Sequence, residues 1–304
     1  GTRLSSPDLV VLAMPTSQLP MVIESEFAIN PNSTFIDVGS VKVEVELKVK
    51  TVSALSRRFL PTHPMAGREI GGASSARADL FQGRSWILTP SQDLEPSSKA
   101  IVLELISLLG AMPIELSAVD HDRAVARISH LPQLAASLMA KQLSGTPAAW
   151  MELAGQGLRD TTRIAGSDEG LWKEIIFSNR AELRELLINL QNDLGSMVEA
   201  LEDPEKIAAL IAAGRTGRDL IPGKHGGKAR EYSYLPIVID DKPGQLGAIF
   251  NECAAMDVNV EDLSIEHSPG QLSALITLAL SGSDAEKLSS HLGSIGWNVH
   301  PIRK

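Results

Sequence analysis

Thr34-Phe35-Ile36-Asp37-Val38-Gly39-Ser40-Val41-Lys42 is a short apolar run that ends in a Gly-Ser turn and enters a helical stretch near Val41. A continuous apolar run bounded by turn residues reads as a buried parallel strand. Upstream, Asp8-Leu9-Val10-Val11-Leu12-Ala13 has the same character and is closed by Pro15, with a helical stretch to about Ala28 between the two. Downstream, Arg58-Phe59-Leu60 predicts a third strand leading to a loop, His63-Pro64-Met65-Ala66-Gly67-Arg68-Glu69. Trp86–Thr89, a helix around Ser97–Leu109 and Pro113–Leu116 complete the segment. Strands alternating with helices predict a doubly wound, Rossmann-like parallel sheet over residues 1–117. Functional loops in such sheets lie at the carboxyl ends of the strands, where Pro15, Asp37–Ser40 and His63 sit. No strand–GxGxxG–helix unit occurs in the sequence, so the nucleotide-binding fold is expected to be partial, without its first βαβ unit. Gly155-Gln156-Gly157 and Gly217…Gly223-Lys224 imitate phosphate loops, but neither has the required spacing.

After Ser117 the pattern becomes helical. Ser117-Ala118-Val119-Asp120 is a capping box, and Ala124, Val125, Ile128, Leu131, Leu134 and Leu138 recur at helical spacing. Pro132 removes an amide inside that run and predicts a kink beside Ser129 and His130. From Ala181, Leu183, Leu187, Leu190, Leu194, Met197 and Leu201 form the seam of a helix packed lengthwise on another. An intrachain core and a dimer interface both satisfy that seam. Residues 118–213 are therefore expected to form a helical substrate and dimerisation domain. Residues 214–230, rich in Gly, Pro and basic side chains, are expected to be a linker. Residues 231–304 read as βαββαβ, a ferredoxin-like module.

Composition narrows the function. The 304 residues carry a formal charge of −9 with 43% hydrophobic residues. There is no basic run or aromatic platform, which excludes nucleic-acid binding. No apolar run approaches membrane-spanning length and the start has no signal-peptide pattern. A single cysteine, Cys253, leaves no disulfide framework or cysteine metal site and fits a reducing cytoplasm. Of the polar clusters, His63 is a candidate general base. Gly39 permits close backbone approach, Ser40 offers a hydroxyl and Lys42 a cation. Arg163, three residues after Asp160, reads either as a local ion pair or as a fork for a substrate carboxylate. Trp172 and His130 are candidates to close the same pocket.

Taken together, DVGSVK (37–42), HPMAG…G…A…LF (63–81), SHLP (129–132), GLRDTTRIA (157–165) with Trp172, and GRTGRDLIPGKHG (214–226) resemble the prephenate dehydrogenase family, the prephenate and arogenate dehydrogenases of tyrosine biosynthesis. The module after residue 231 resembles an ACT domain, through Asp241-Lys242-Pro243-Gly244-Gln245-Leu246 and Asp257-Val258-Asn259-Val260. The resemblance implies oxidative decarboxylation of prephenate with NAD, or NADP, as hydride acceptor, in a cytoplasmic homodimer. It implies His63 and Ser40 as catalytic residues and Arg163, Asp160, His130 and Trp172 as substrate-binding ones. Pro15, Asp37, Gly39 and Lys42 are expected at the cofactor, and no metal is expected. Gly244, Gln245, Leu246, Gly247, Asn259 and Val260 are expected to hold an amino-acid effector, tyrosine as feedback inhibitor. Arogenate as substrate, or a non-catalytic amino-acid-binding dimer, are the alternatives. Besides the absent GxGxxG unit, the chain departs from the family at Arg68, where a smaller polar residue is often found, and at Gln133, where many members have a second histidine.

Overall fold

A computed structural model describes residues 6–67, 76–222, 232–267 and 272–303. In chain order the first elements are β1 (Leu9–Leu12), α1 (Leu19–Ile29), β2 (Thr34–Asp37), α2 (Val43–Lys50), α3 (Ser53–Ser56) and β3 (Phe59–Pro64). They are followed by β4 (Ser85–Leu88), α4 (Pro96–Leu108), β5 (Met112–Glu115), α5 (Ala118–Val125) and α6 (Leu131–Lys141). Then come α7 (Ala148–Met151), α8 (Gln156–Thr162), α9 (Glu169–Ser178), α10 (Arg180–Ala200) and α11 (Pro204–Arg218). The last are β6 (Ser233–Asp240), α12 (Gln245–Ala255), β7 (Asp262–His267), β8 (Ser273–Leu280), α13 (Gly282–Ser294) and β9 (Asn298–Val299).

Two compact units result. One comprises Gly1–Gln142 and Thr162–Asp193, the other Leu143–Thr161 and Leu194–Lys304. Residues 118–213 contribute helices to both units. The expected linker also begins later than residue 214, because α11 continues through Arg218 with Asp203 capping its start. Gly217 lies inside that helix and forms no phosphate loop; the remainder of the expected linker, from residue 223 on, lies outside the described residues, as does Arg68.

In the first unit the sheet order is β1-β2-β3-β4-β5. Successive strand residues point to opposite faces, and both faces are apolar. Phe35 and Phe59 pack with Leu12, Leu19, Ile23, Val45, Val49 and Leu55 on the side of α1–α3. Ile36 and Leu60, one residue along, pack with Trp86, Leu88, Val102 and Ile106 on the side of α4. This two-sided burial is why the strands read as continuous apolar runs rather than alternating ones. The pairing is parallel except that β4 runs antiparallel to β3. The described part of the β3–β4 connection holds turns and no crossover helix, and a parallel return normally needs such a helix.

Pairing with β4 also lengthens β3. His63 faces Ile87 and Pro64 faces Trp86 across the ladder, so His63 is the penultimate strand residue and not part of a following loop. Elsewhere in this unit Ser117 caps α5 by accepting from the amide of Asp120 at 3.0 Å. The kink expected at Pro132 takes another form. A π-helical turn, Ala126–His130, separates α5 from α6, and Pro132 sits in the first turn of α6. The Leu131 amide bonds the Ala126 carbonyl, and this π turn widens the ring of backbone bonds at the point where Pro132 supplies no donor.

The apolar seam of α10 serves two surroundings. Leu183 and Leu186 are buried with Ala126, Leu131, Leu134 and Ile176. Leu190, Leu194, Val198 and Leu201 are exposed. In the second unit, β6–β9 form a sheet in the order β7-β8-β6-β9, antiparallel at every pairing. Its inner face and the helices α12 and α13 share one apolar core that includes Leu235, Ile237, Ile249, Ile276, Leu278, Leu288 and Leu292. β7 covers Asp262–His267, and β9 is confined to Asn298–Val299, followed by an isolated bridge from Arg303 to Tyr234. No helix among the described residues is long and apolar enough to cross a membrane.

Candidate active site

The carboxyl ends of β1, β2 and β3 carry the candidate residues, as the fold dictates. β2 delivers Asp37, whose side chain is fully buried and ion-paired with Lys42, itself fully buried. Lys42 Nζ also donates to the Thr62 carbonyl at 2.7 Å. Asp37 further accepts from the Gly39 amide at 2.9 Å and from the Thr62 amide at 3.2 Å. The pair therefore ties the turn after β2 to the end of β3, one residue from His63. Burial pulls the Lys42 pKa below its ordinary value, while the adjacent Asp37 carboxylate works in the opposite direction. Both were expected at the cofactor. Their side chains have no exposed surface and act instead on the backbone around Gly39.

A Cβ on Gly39 would stand 2.8 Å from Thr16 Oγ1 and 3.0 Å from Asp37 Oδ2, so only glycine fits this approach. Pro15 is exposed and begins the turn that brings Thr16 there. Next to Gly39, Ser40 lines a cleft of about 460 Å³ together with His63, Val38, Ala66, Phe81 and Trp86.

His63 does not stand alone. Its Nδ1 lies 2.9 Å from Nε2 of His121, and His121 Nδ1 lies 2.7 Å from Asp122 Oδ1. Both His121 and Asp122 are buried. Asp122 is held from the other side by the amides of Lys42, at 2.8 Å to Oδ1, and Val43, at 2.9 Å to Oδ2. Asn179 Nδ2 donates to the Asp122 carbonyl at 2.8 Å and lies 3.1 Å from His130 Nδ1. The ring of His130 meets Trp172 edge-on at 6.0 Å. His121, Asp122 and Asn179 were not among the expected residues. The signal was an adjacent His-Asp pair just after a helix cap, which carries no spacing of its own to set it apart.

His63 titrates well below the ordinary histidine value because it is desolvated, with Lys42, His121 and His130 adding in the same direction. His130 is lowered to about 4 by burial, with Asp122 opposing and His121 assisting. Both rings are neutral in the folded protein at neutral pH. The unfolded chain binds protons on them below about pH 6.5, so stability is complete above that value and drains as pH falls toward the folded values. For His130 the loss by about pH 5 is on the order of 2 kcal/mol. Urea unfolding at several pH values checks this: His130→Gln should flatten the slope. An unchanged slope in that variant would contradict the assignment.

The substrate-side residues are less enclosed. Arg163 is exposed at the start of a 3-10 turn, Arg163–Gly166. Gln133 Nε2 donates to the Ile164 carbonyl of that turn at 2.9 Å, so the family departure at this position has a positional role. Asp160 is exposed on α8 and accepts from Gln156 Nε2 at 2.7 Å. In the second unit, Gly244 takes a left-handed conformation (φ 93°) ahead of α12, where Gln245, Leu246 and Gly247 form the first turn. Asn259 Nδ2 donates to Glu261 Oε1 at 3.0 Å, and Val260 packs on the core ahead of β7.

Comparison with known proteins bears on the same stretches. Residues 2–115 match the family model described as the prephenate dehydrogenase nucleotide-binding domain, and residues 117–212 match the prephenate dehydrogenase dimerization domain. A cyclohexadienyl dehydrogenase of Zymomonas mobilis is 31% identical over 201 residues, 64% of this chain and 68% of that protein. The chain belongs to the prephenate dehydrogenase family. A probable prephenate dehydrogenase of Streptomyces niveus is 28% identical over 98% of this chain and 86% of its own length. Among solved structures, Aquifex aeolicus prephenate dehydrogenase in complex with hydroxyphenyl propionate and NAD+ is 25% identical with a TM-score of 0.62, covering 71% of this chain and 77% of that one. Family membership makes the chain an oxidoreductase, and the first unit carries the family's nucleotide-binding region.

Proposed function

We propose that the protein catalyses the oxidative decarboxylation of prephenate with NAD as hydride acceptor. The observation that carries this reading is a neutral, desolvated His63 beside Ser40 on the wall of a largely apolar cleft in the nucleotide-binding unit. The apolar cleft, lined by Val11, Ala13, Val38 and Ser40 at the ends of β1 and β2, would take the nicotinamide, and Gly39 lets the adjoining turn pack against Thr16. Pro15, Gly39 and the turn braced by Asp37 and Lys42 would hold the cofactor. Bound NAD supplies the acceptor for the hydride that leaves the ring carbon bearing the hydroxyl.

The chain's own residues do the rest. As hydride leaves, positive character builds on that hydroxyl, and the His63 lone pair accepts its hydrogen bond. Ser40 orients the same oxygen. Arg163, with Asp160 nearby in sequence, pairs with a substrate carboxylate. His130 and Trp172, whose rings meet edge-on, would close the substrate side. The C–CO2 bond breaks with its electron pair entering the ring, which becomes a phenol, so no proton is gained or lost overall. An apolar cleft makes each of these electrostatic contacts stronger than it is in water.

We also assign the second sheet and its helices to an ACT module that binds tyrosine, on the βαββαβ order and on the left-handed Gly244 turn opening α12. The exposed leucines of α10 support a homodimer, in keeping with the family domain they belong to. The test is nicotinamide reduction by the purified chain, with prephenate or arogenate, NAD or NADP, and with or without tyrosine. Turnover with prephenate and NAD that tyrosine suppresses is the expected outcome. A preference for arogenate would move the substrate assignment, and turnover insensitive to tyrosine would remove the effector role.

A further inference from the structure

We propose that His121 is a positioning residue that sets the tautomer of His63, through a buried chain running from Asp122 to His121 to His63. The proposal rests on the reading of His63 as the hydrogen-bond acceptor of the reaction. Its basis is a count of hydrogens along two short contacts. Asp122 receives backbone N–H groups from Lys42 and Val43 on its two carboxylate oxygens. A carboxylate receiving such donors is an acceptor only, so the hydrogen in its 2.7 Å contact with His121 Nδ1 belongs to the imidazole. A neutral His121 then has a bare Nε2.

That bare nitrogen lies 2.9 Å from His63 Nδ1. Two lone pairs cannot face each other at that distance, so His63 Nδ1 must carry its hydrogen. The His63 Nε2 is left as the unprotonated nitrogen, free of hydrogen-bond partners among the described residues, on a ring that lines the cleft. That is the tautomer able to accept from a substrate hydroxyl. The other tautomer would present an N–H there and repel the developing positive charge. Free histidine ordinarily prefers the Nε2–H form, so the protein has to impose the rarer one.

The arrangement is rigid enough to do so. His121 has no exposed surface, Asp122 is nearly as buried, and Asn179 fixes the Asp122 backbone. The two histidine rings meet nearly perpendicular, at 74° with centroids 5.1 Å apart. A doubly protonated His121 would reverse the polarity and make His63 Nε2 a donor. The Asp122 carboxylate would pair with that cation, so an Nε2–H signal on His63 is the outcome that would report a charged His121.

The tautomer can be read directly by long-range ¹H–¹⁵N correlation in the ¹⁵N-labelled full chain, with the His63 signals assigned by their loss in His63→Asn. The expected spectrum has a protonated Nδ1 and a bare Nε2 on His63. In His121→Phe the Nε2–H form should reappear, and kcat should fall about 100-fold with KM changed less than about threefold. His121→Gln, which offers a carbonyl near the position of the lost nitrogen, should recover kcat to within about tenfold of the parent. An Nε2–H tautomer in the parent protein overturns the proposal, as does a His121→Phe variant with unchanged tautomer. If His63→Asn keeps full turnover, the catalytic reading of His63 fails instead, and the spectrum still reports the tautomer by itself.

Discussion

Replacing His63 by Asn should lower kcat by about 10³-fold with cofactor affinity little changed. Asn keeps roughly the size and polarity of the ring and can still meet the His121 nitrogen at 2.9 Å. It lacks, however, a lone pair at the position of Nε2. The loss therefore falls on stabilisation of charge in the transition state rather than on binding, and KM for the substrate should move far less than kcat. Steady-state kinetics with fluorescence titration of the cofactor separates the two. A fall of less than about tenfold would mean that the oxygen is polarised by another group, with Ser40 as the next to test. Ser40 lines the same cleft and needs no proton transfer to contribute a hydrogen bond.

Lys42→Met should destabilise the fold by about 3–5 kcal/mol. Met matches the length of the lysine stem, so packing changes little and the effect is electrostatic. Removing the ammonium leaves Asp37 as a fully buried carboxylate with two backbone amides as its remaining donors. The Thr62 carbonyl loses its lysine partner as well. Urea unfolding at neutral pH measures the cost. Breaking one side of a buried pair is expensive, whereas replacing both sides is often nearly neutral. Asp37→Leu in the Lys42→Met background should accordingly recover part of the loss. A single-variant cost below about 1 kcal/mol would show that Lys42 is not paired as described.

Much of this was legible in the chain itself. The runs Leu9–Leu12, Thr34–Asp37 and Phe59–Leu60 are apolar on both faces, which only a covered parallel sheet requires, and the strands lie there. The cap at Ser117 and the turn at Gly244 were readable because each depends on a few adjacent residues. The motifs around Gly39 and His63 pointed to one cleft because strand ends of such a sheet lie side by side.

What local pattern could not show were the partners. His121 is 58 residues from His63, and an adjacent His-Asp pair on a helix has no periodicity that marks it as functional. Lys42 is another case. Composition places lysine at the surface, and only the approach of Asp37 and the Thr62 carbonyl makes its burial tolerable. The length of β3 is set by pairing with β4, which extends the strand past Pro61, a proline that would close it in isolation. The leucine seam of α10 held two possibilities, and folding assigns the half around Leu183 to an intrachain core while leaving Leu194 and Leu201 exposed.

The sequence by itself determined the alternation of strands and helices and the caps and turns. These follow from the apolar period and from backbone preferences that act over a few residues. Tertiary structure alone decided that Asp122, His121 and His63 form one hydrogen-bonded line and that Lys42 lies beneath it. Such contacts arise between groups distant in the chain, where burial removes water and leaves each polar atom only the partners that the fold brings to it.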